Sequence, residues 1–389
     1  MQVAFVTLDD PYEKVGGIEL AVHNLSSNFA RLGIKVWVIC LSRKRHNITI
    51  EKRKDVYYIL LPYDSKTAIG KILTFIKYGN VVINKLEELG INVFIGQGGY
   101  SIPLVLSKPK KAKFILVVHT LDDENIANIK DYLRLRRVRY ALFEATKYAL
   151  LKLWRIIYLN RADYLIFVSK VASNEFKRHY KFLKKQSIVI PNGYPEIEIT
   201  KSNNIEKKYD FAYIGRIDKR KCVDLVVKAS YILKLKGYNF TVLIQGQGAL
   251  YKYIVELIRR LKLERNIILK EFVKDYNETF NYISRTRFLV LPSCYESDPL
   301  ILKEALSLGV PCIVSNIPAL SHIIKDNING FLFKAGNYYD LARVMERALG
   351  LRDSEYNMLA TRATESVKNF TWYNIAKRYI SYIRLISLN

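Results

Sequence analysis

The chain alternates short apolar runs with longer segments of helical period, and that alternation leaves few folds open. Runs rich in Val, Ile and Phe occupy Val3–Thr7, Lys35–Cys40, Val56–Leu61, Val93–Ile95, Phe114–Val118 and Tyr164–Val168. Further runs follow at Asp210–Ile214, Thr241–Ile244, Ile267–Leu269, Phe288–Leu291 and Cys312–Val314. Strands that are apolar at consecutive positions are buried on both faces, as in parallel sheets, and each here precedes a stretch long enough for a crossover helix. Right-handed crossovers place helices on both faces of such a sheet. Residues 191–208, PNGYPEIEITKSNNIEKK, interrupt the alternation with turn residues and charges and read as a linker. The expectation is therefore α/β: two Rossmann-like, doubly wound parallel-sheet domains over 1–192 and 209–370, joined by a linker at 193–208. The full 389 residues suit two cores better than one. Ligands of open α/β sheets bind at the C-terminal edges of the strands, here in a cleft between two such edges.

Charge narrows the partners without choosing one. Lys and Arg number 62 against 36 Asp and Glu, a net +26. A field of that sign attracts the phosphates of nucleotides, nucleic acids or anionic lipids. Residues 1–190 hold 32 basic and 16 acidic side chains and the remainder 30 and 20, which excludes a basic tail. Solvated lysines alone would look the same. Cys40, Cys222, Cys294 and Cys312 form no C-x-x-C pair, so neither a structural disulfide nor a zinc site is expected, and a reducing cytoplasm fits. MQVAFVT starts on a strand-like run without a charged leader, so no signal peptide is expected. Lys152 and Arg155 interrupt the longest apolar stretch, so no transmembrane span is expected.

The second half carries the sharper chemistry. In FLVLPSCYESDPLILKEALSLGVPCIVS (288–315), Asp298 suits an N-cap and Pro299 the first helical position. The backbone N–H groups near Leu300 and Ile301 would then form an anion site. Glu296 precedes that helix and Glu304 lies inside it; carboxylates beside a phosphate site suit the vicinal hydroxyls of a sugar or ribose. Glu304 as an ordinary surface residue is the plainer alternative. In YIGRIDKRKCVD (213–224), Gly215 ends a strand and lets backbone approach a ligand, while Arg216, Lys219, Arg220 and Lys221 follow at once. A solvated basic turn would also account for them.

Together these segments resemble glycosyltransferase family 4, the retaining group with the GT-B fold. The matching residues are Gly215, Arg216 and Lys221; Pro292, Ser293, Glu296, Glu304, Ala305, Gly309 and Pro311; Gly246 and Gly248; and Asn329–Gly330–Phe331. The closing FTWYNIAKRYISYI resembles the helix that returns to the N-terminal domain, over 371–389. The resemblance implies that Arg216 and Lys221 hold the diphosphate of a nucleoside-diphosphate-sugar and stabilise its departure. It implies Glu304 on the ribose, Glu296 on the transferred sugar, Leu300 and Ile301 N–H groups on phosphate, and Val273 near the base. It implies no metal and no cofactor beyond the sugar nucleotide as co-substrate. Four departures stand out: Cys222 where Gly is usual, Asp298 for an aromatic, Lys303 for an apolar residue, and His322 for Glu. Asp298 and Lys303 are expected to border the sugar subsite.

In the first half, Gly16–Gly17 precede a helix bearing Ile18, Val22, Leu25 and Phe29. By residues alone the glycines are a turn; the resemblance implies that their backbone closes over the diphosphate. His119 ends the run FILVVH, either as a strand-end histidine or, by the resemblance, facing the transferred sugar. The loop at 96–99, GQGG, lies on the same edge without an assigned role. Residues 130–161 pair Lys130, Arg134, Arg136, Arg137, Arg139, Lys147, Lys152, Arg155 and Arg161 with an apolar stripe of Leu135, Val138, Leu142, Ala145, Ala149, Leu153 and Ile156. Such a helix lies on an anionic bilayer or, more plainly, packs its stripe into the core. The function expected is retaining transfer of a hexose-type sugar to a hydroxyl of a glycan or lipid-linked acceptor, in the cytoplasm and peripheral to the membrane. A sugar-nucleotide epimerase or hydrolase of the same fold is the first alternative. A nucleic-acid-binding or DNA-modifying protein ranks last, because no recognition motif for nucleic acid is visible.

Overall fold

The computed structural model describes residues 1–13, 16–65, 67–101, 112–120, 138–196, 205–273 and 275–387. The chain divides into two compact units, Met1–Pro191 with Ile375–Asn389, and Asn192–Asn374.

The first unit runs β1 (Gln2–Asp9), α1 (Gly17–Arg31), β2 (Lys35–Ser42), β3 (Thr49–Arg53), β4 (Val56–Pro62), α2 (Ala68–Glu88), β5 (Val93–Gln97) and β6 (Lys113–Val118). It continues through α3 (Val138–Arg161), β7 (Tyr164–Phe167), α4 (Lys170–His179) and β8 (Gln186–Val189). The sheet order is β3-β4-β2-β1-β5-β6-β7-β8, parallel except for the β3–β4 pair. The order reverses between β1 and β5, so the loops after these two strands part there, as at the switch point of doubly wound sheets. Central strands are apolar throughout: Val3, Ala4, Phe5 and Val6 are fully buried, as are Val36, Val38, Ile39 and Cys40. Helix α1 turns Val22, Leu25 and Phe29 inward, and Phe5 meets Phe29 edge-on at 5.2 Å. Thr67 caps α2 by accepting from Gly70 N–H at 3.1 Å, and Ser169 caps α4 through Ala172 N–H.

The second unit runs β9 (Tyr209–Ile214), α5 (Asp224–Leu235), β10 (Val242–Gln245), α6 (Tyr251–Arg260), β11 (Ile267–Lys270), α7 (Tyr276–Ser284) and β12 (Thr286–Leu291). Then come α8 (Leu300–Ser307), β13 (Cys312–Ser315), α9 (Pro318–Ser321), β14 (Gly330–Phe333), α10 (Tyr338–Leu349) and α11 (Asp353–Val367). Its parallel sheet has the order β11-β10-β9-β12-β13-β14, with apolar layers on both faces. Helix α12 (Trp372–Ser387) ends the chain; from Ile375 onward it belongs to the first unit, where Tyr379 meets Phe29 and Tyr382 meets Tyr164.

The expected linker begins as ordered structure of the second unit. Asn192 N–H donates to the Asp298 carboxylate at 2.6 Å, and Tyr194 exchanges backbone hydrogen bonds with Phe370 and Trp372. Residues 197–204 lie outside the described set. A second expectation fails at the cysteines: Cys222 and Cys294 form a disulfide, with Cα atoms 6.3 Å apart. A sequence separation of 72 residues hid the pairing, because both cysteines sit in loops leaving the C-terminal ends of adjacent strands, β9 and β12. With that bond, the cysteine-based ground for a reducing compartment falls away.

Candidate active site

Within the second unit, three strand ends converge. Beyond β9, Gly215 adopts φ +152°, and the Tyr213 hydroxyl holds the Arg216 carbonyl at 2.5 Å. Asp218 closes the next turn by accepting from Arg220 N–H at 3.1 Å and Lys221 N–H at 3.3 Å. Beyond β10, Gly246 and Gly248 pack against that loop: a Cβ on Gly246 would lie 1.8 Å from the Gly215 carbonyl, and one on Gly248 2.4 Å from the Ile217 carbonyl. Only glycine permits that closeness. Ile217 N–H donates to the Gln247 carbonyl at 2.9 Å and fastens the two loops together. Arg216 is largely solvent-exposed with Asp218 3.4 Å away, so its guanidinium is accessible to an anion.

Beyond β12, Glu296 is held from two sides, by Lys221 Nζ at 2.5 Å and Ser293 Oγ at 2.7 Å. The basic turn after β9 and the acidic loop after β12 therefore meet through an ion pair. Helix α8 starts four residues later. Its N-cap is Pro299, which provides no side-chain cap, so the N–H groups of Leu300 and Ile301 open the helix without a capping carboxylate.

Asp298 does not cap α8, contrary to expectation. Its carboxylate accepts from Asn192 N–H and from Lys303 Nζ at 2.5 Å, while Lys303 also donates to the Asn192 carbonyl at 2.7 Å. Both partners are essentially removed from solvent, at 1% side-chain exposure each. The two departures expected at a sugar subsite thus form a buried ion pair that ties α8 to residue 192. Paired burial is what makes two such charges tolerable in an apolar interior.

Glu304 is buried inside α8 and accepts the hydroxyl of Tyr276 from α7, which settles the surface-residue alternative. Desolvation pushes its carboxyl up to about 7, against the lowering pull of the Tyr276 hydrogen bond and the Lys303 charge. Val273 is partly buried in the loop between β11 and α7. His322 follows the short α9, and burial lowers its pKa.

The first unit holds the remaining expected residues. Gly16 is the extended N-cap of α1, which begins at Gly17 and places its first-turn amides beyond the end of β1. Buried Glu19 lies in that first turn, and a Cβ on Gly16 would meet its carboxylate. His119 follows β6, with Nε2 2.7 Å from Gln97 Oε1 at the end of β5. The ring keeps partial exposure, yet desolvation draws its pKa down to about 4, so it is neutral at pH 7. With Nε2–H donating to Gln97, Nδ1 is left as an acceptor.

Sequence reasoning missed several partners. Gln97 belongs to the loop left without a role, and its Nε2 finds no partner among the described residues. Gln245, at the end of β10, is buried with both amide atoms unpartnered among the described residues. Asp10, just past β1, accepts from Arg53 Nη1 through both carboxylate oxygens at 2.8 Å, and Asp9, the last residue of β1, pairs with buried Lys71. A polar residue closing an apolar run was the available signal for the two glutamines.

Helix α3 covers only the later part of the expected basic segment; Lys130, Arg134, Leu135, Arg136 and Arg137 lie outside the described residues. Tyr158 and Leu159 enter the core, and Trp154 and Ile156 pack against it. Leu142, Phe143, Leu150 and Leu153 instead face outward, at 66%, 65%, 68% and 57% exposure. Among the described residues, no helix is long and apolar enough to cross a membrane.

Two family models cover most of the chain. Residues 15–196 match Glycosyltransferase Family 4, and residues 196–366 match Glycosyl transferases group 1. An uncharacterized glycosyltransferase of Methanocaldococcus jannaschii is 26% identical over 96% of this chain and 95% of its own. The UDP-Gal:alpha-D-GlcNAc-diphosphoundecaprenol alpha-1,3-galactosyltransferase of Escherichia coli is 27% identical over 49% of this chain and 51% of its own. The sucrose-phosphate synthase structure from Thermosynechococcus elongatus superposes with a TM-score of 0.78 at 20% identity, covering 100% of both chains. The matches agree with the two parallel-sheet units: the chain is a group 1 glycosyltransferase of family 4, with the GT-B fold.

Proposed function

We propose that this transferase moves a hexose-type sugar from a nucleoside diphosphate to a hydroxyl of a lipid-linked or similar glycan acceptor, with retention at the anomeric carbon. The observation that carries the reading is the meeting of Lys221 and Glu296 beside the uncapped start of α8, with buried Glu304 further along that helix. Lys221, Arg216 and the amides of Leu300 and Ile301 supply positive potential for a diphosphate without calling on a metal. Glu304 accepts the ribose hydroxyls and Glu296 those of the sugar. As the bond from the anomeric carbon to the diphosphate oxygen breaks, Arg216 and Lys221 stabilise the charge on the departing nucleoside diphosphate. The acceptor oxygen bonds to that carbon on the same face and gives its proton to the departing diphosphate oxygen. On the first unit, Gly16 and Gly17 with the amides of α1 offer contacts for phosphate, and neutral His119 offers Nδ1 for a sugar hydroxyl.

Chemistry on the first unit supports this acceptor class. The outward arc of α3, Leu142, Phe143, Leu150 and Leu153, is bracketed by exposed Arg139 and Arg161. On a chain of net charge +26, such an arc suits an anionic bilayer, and a bilayer is where lipid-linked glycans reside.

The test is transfer itself. UDP-, GDP- and ADP-hexoses are incubated with a polyprenyl-diphosphate-linked sugar, and the product linkage is read by NMR. One donor should yield product with the donor's anomeric configuration, and Lys221→Ala should cut turnover at least about a hundredfold. An inverted product would overturn the retaining mechanism, and near wild-type turnover in the variant would overturn the role of Lys221.

A further inference from the structure

We propose that the Cys222–Cys294 disulfide is a positioning element of the donor site, fixing the loop that carries Lys221 to the loop that carries Glu296. The inference rests on the donor-site reading above. Lys221 immediately precedes one cysteine, and Glu296 lies two residues beyond the other. The loops are joined by the Cys294 N–H to Arg220 carbonyl hydrogen bond at 2.8 Å, by the Lys221–Glu296 ion pair at 2.5 Å and by the disulfide.

Ligand binding singles out the third of these. A diphosphate arriving at Lys221 competes with Glu296 for the ammonium, and a sugar hydroxyl competes for the carboxylate. The ion pair therefore opens when the donor is bound. The sulfur–sulfur bond and the Cys294–Arg220 backbone hydrogen bond are untouched by that exchange and keep the two loops at their spacing. Preorganisation of this kind raises affinity by lowering the ordering cost of binding.

The backbone at Cys222 points the same way. It sits at φ +50°, ψ +39°, in the left-handed region. Glycine adopts that conformation freely, whereas a side chain there is strained. The chain holds a strained cysteine where a relaxed glycine would serve the turn, so the sulfur is what the position contributes. Cys294 is exposed, which leaves the bond open to a small dithiol. Reduction by such a dithiol transfers two electrons and two protons: the sulfur–sulfur bond breaks, two thiols form, and the reductant closes into its own disulfide.

The experiment uses full-length protein purified without reductant. Thiol titration in denaturant should find two free thiols, Cys40 and Cys312, and four after dithiothreitol. Calorimetric titration with UDP, GDP and ADP then compares oxidised protein, reduced protein and the double variant Cys222→Gly/Cys294→Ala. Glycine suits the left-handed turn, so the variant is expected to fold. The nucleotide that binds should lose about tenfold in affinity on reduction. The variant should bind like the reduced protein and ignore dithiothreitol. Four thiols before reduction would overturn the proposal. So would a lowered thermal midpoint with unchanged affinity, which marks a bond of structural consequence only. If no nucleotide binds even the oxidised protein, the donor-site reading falls and takes this inference with it.

Discussion

Glu304, proposed to hold the ribose of the donor, links stability to pH through one proton. Its carboxyl titrates near 7 in the fold against an ordinary 4.5, because burial penalises the anion. Between those values the folded protein holds a proton that the unfolded chain has shed, so stability falls as pH rises from 4.5 to about 7. Glu304→Gln removes that loss. Denaturant unfolding at pH 8 should find the variant more stable by about 1–3 kcal/mol, with the gain vanishing below pH 4.5, while its nucleotide affinity drops. A gain independent of pH would contradict the assignment. His119 is held neutral by burial, with Gln97 fixing its tautomer. A carboxylate in place of that amide favours the imidazolium, so Gln97→Glu should raise the His119 pKa, read by NMR titration among the five histidines. An unchanged value would dismiss Gln97 as its partner. Neither partnership was legible beforehand. Glu304 and His119 stand out by position in a pattern, but Tyr276 and Gln97 reach them only through the folded sheet. The same holds for Asp298 and Lys303, which read as specificity residues and turned out to satisfy each other in the interior.

Elements were legible where burial on both faces left an unbroken apolar run, as in β1, β2 and β9. Of the four edge strands, β11 was legible as the run Ile267–Leu269, and β3, β8 and β14 were not. The strand TIEKR of β3 alternates charges, pairs antiparallel and has only one neighbour, while QSIV of β8 and GFLF of β14 are four residues long. In β3 the charges that discourage pairing with other chains erase the apolar signature, while β8 and β14 are too short to display one. Helix α3 shows the limit of periodicity: a stripe at helical spacing reports two different faces but not which one meets the core. Leu142, Ala149 and Leu153 of that stripe are exposed, whereas Ile156 packs inward. Replacing Leu142, Phe143, Leu150 and Leu153 together by Ser should weaken binding to anionic vesicles at least about tenfold. Because these side chains are already solvent-facing, the thermal midpoint should hold. Undiminished vesicle binding would rule out this face as the contact.

At the scale of the whole molecule, the duplicated α/β pattern announces two units before any motif does, and the family matches divide at residue 196, close to the structural boundary at Asn192. The positive charge is shared by both halves of the chain, in keeping with phosphate-bearing ligands for each. The central claim is that Lys221, Glu296, Glu304 and the start of α8 bind a nucleoside diphosphate. Thermal unfolding with UDP, GDP or ADP, without added metal, tests it on wild type, Glu304→Ala and Lys221→Ala. A ligand present at a hundred times its Kd adds about 2.7 kcal/mol, which for domains of this size raises the midpoint by about 5–10 °C. One nucleotide should produce that rise in wild type and little or none in either variant. No shift with any nucleotide, or equal shifts in all three proteins, would contradict the claim.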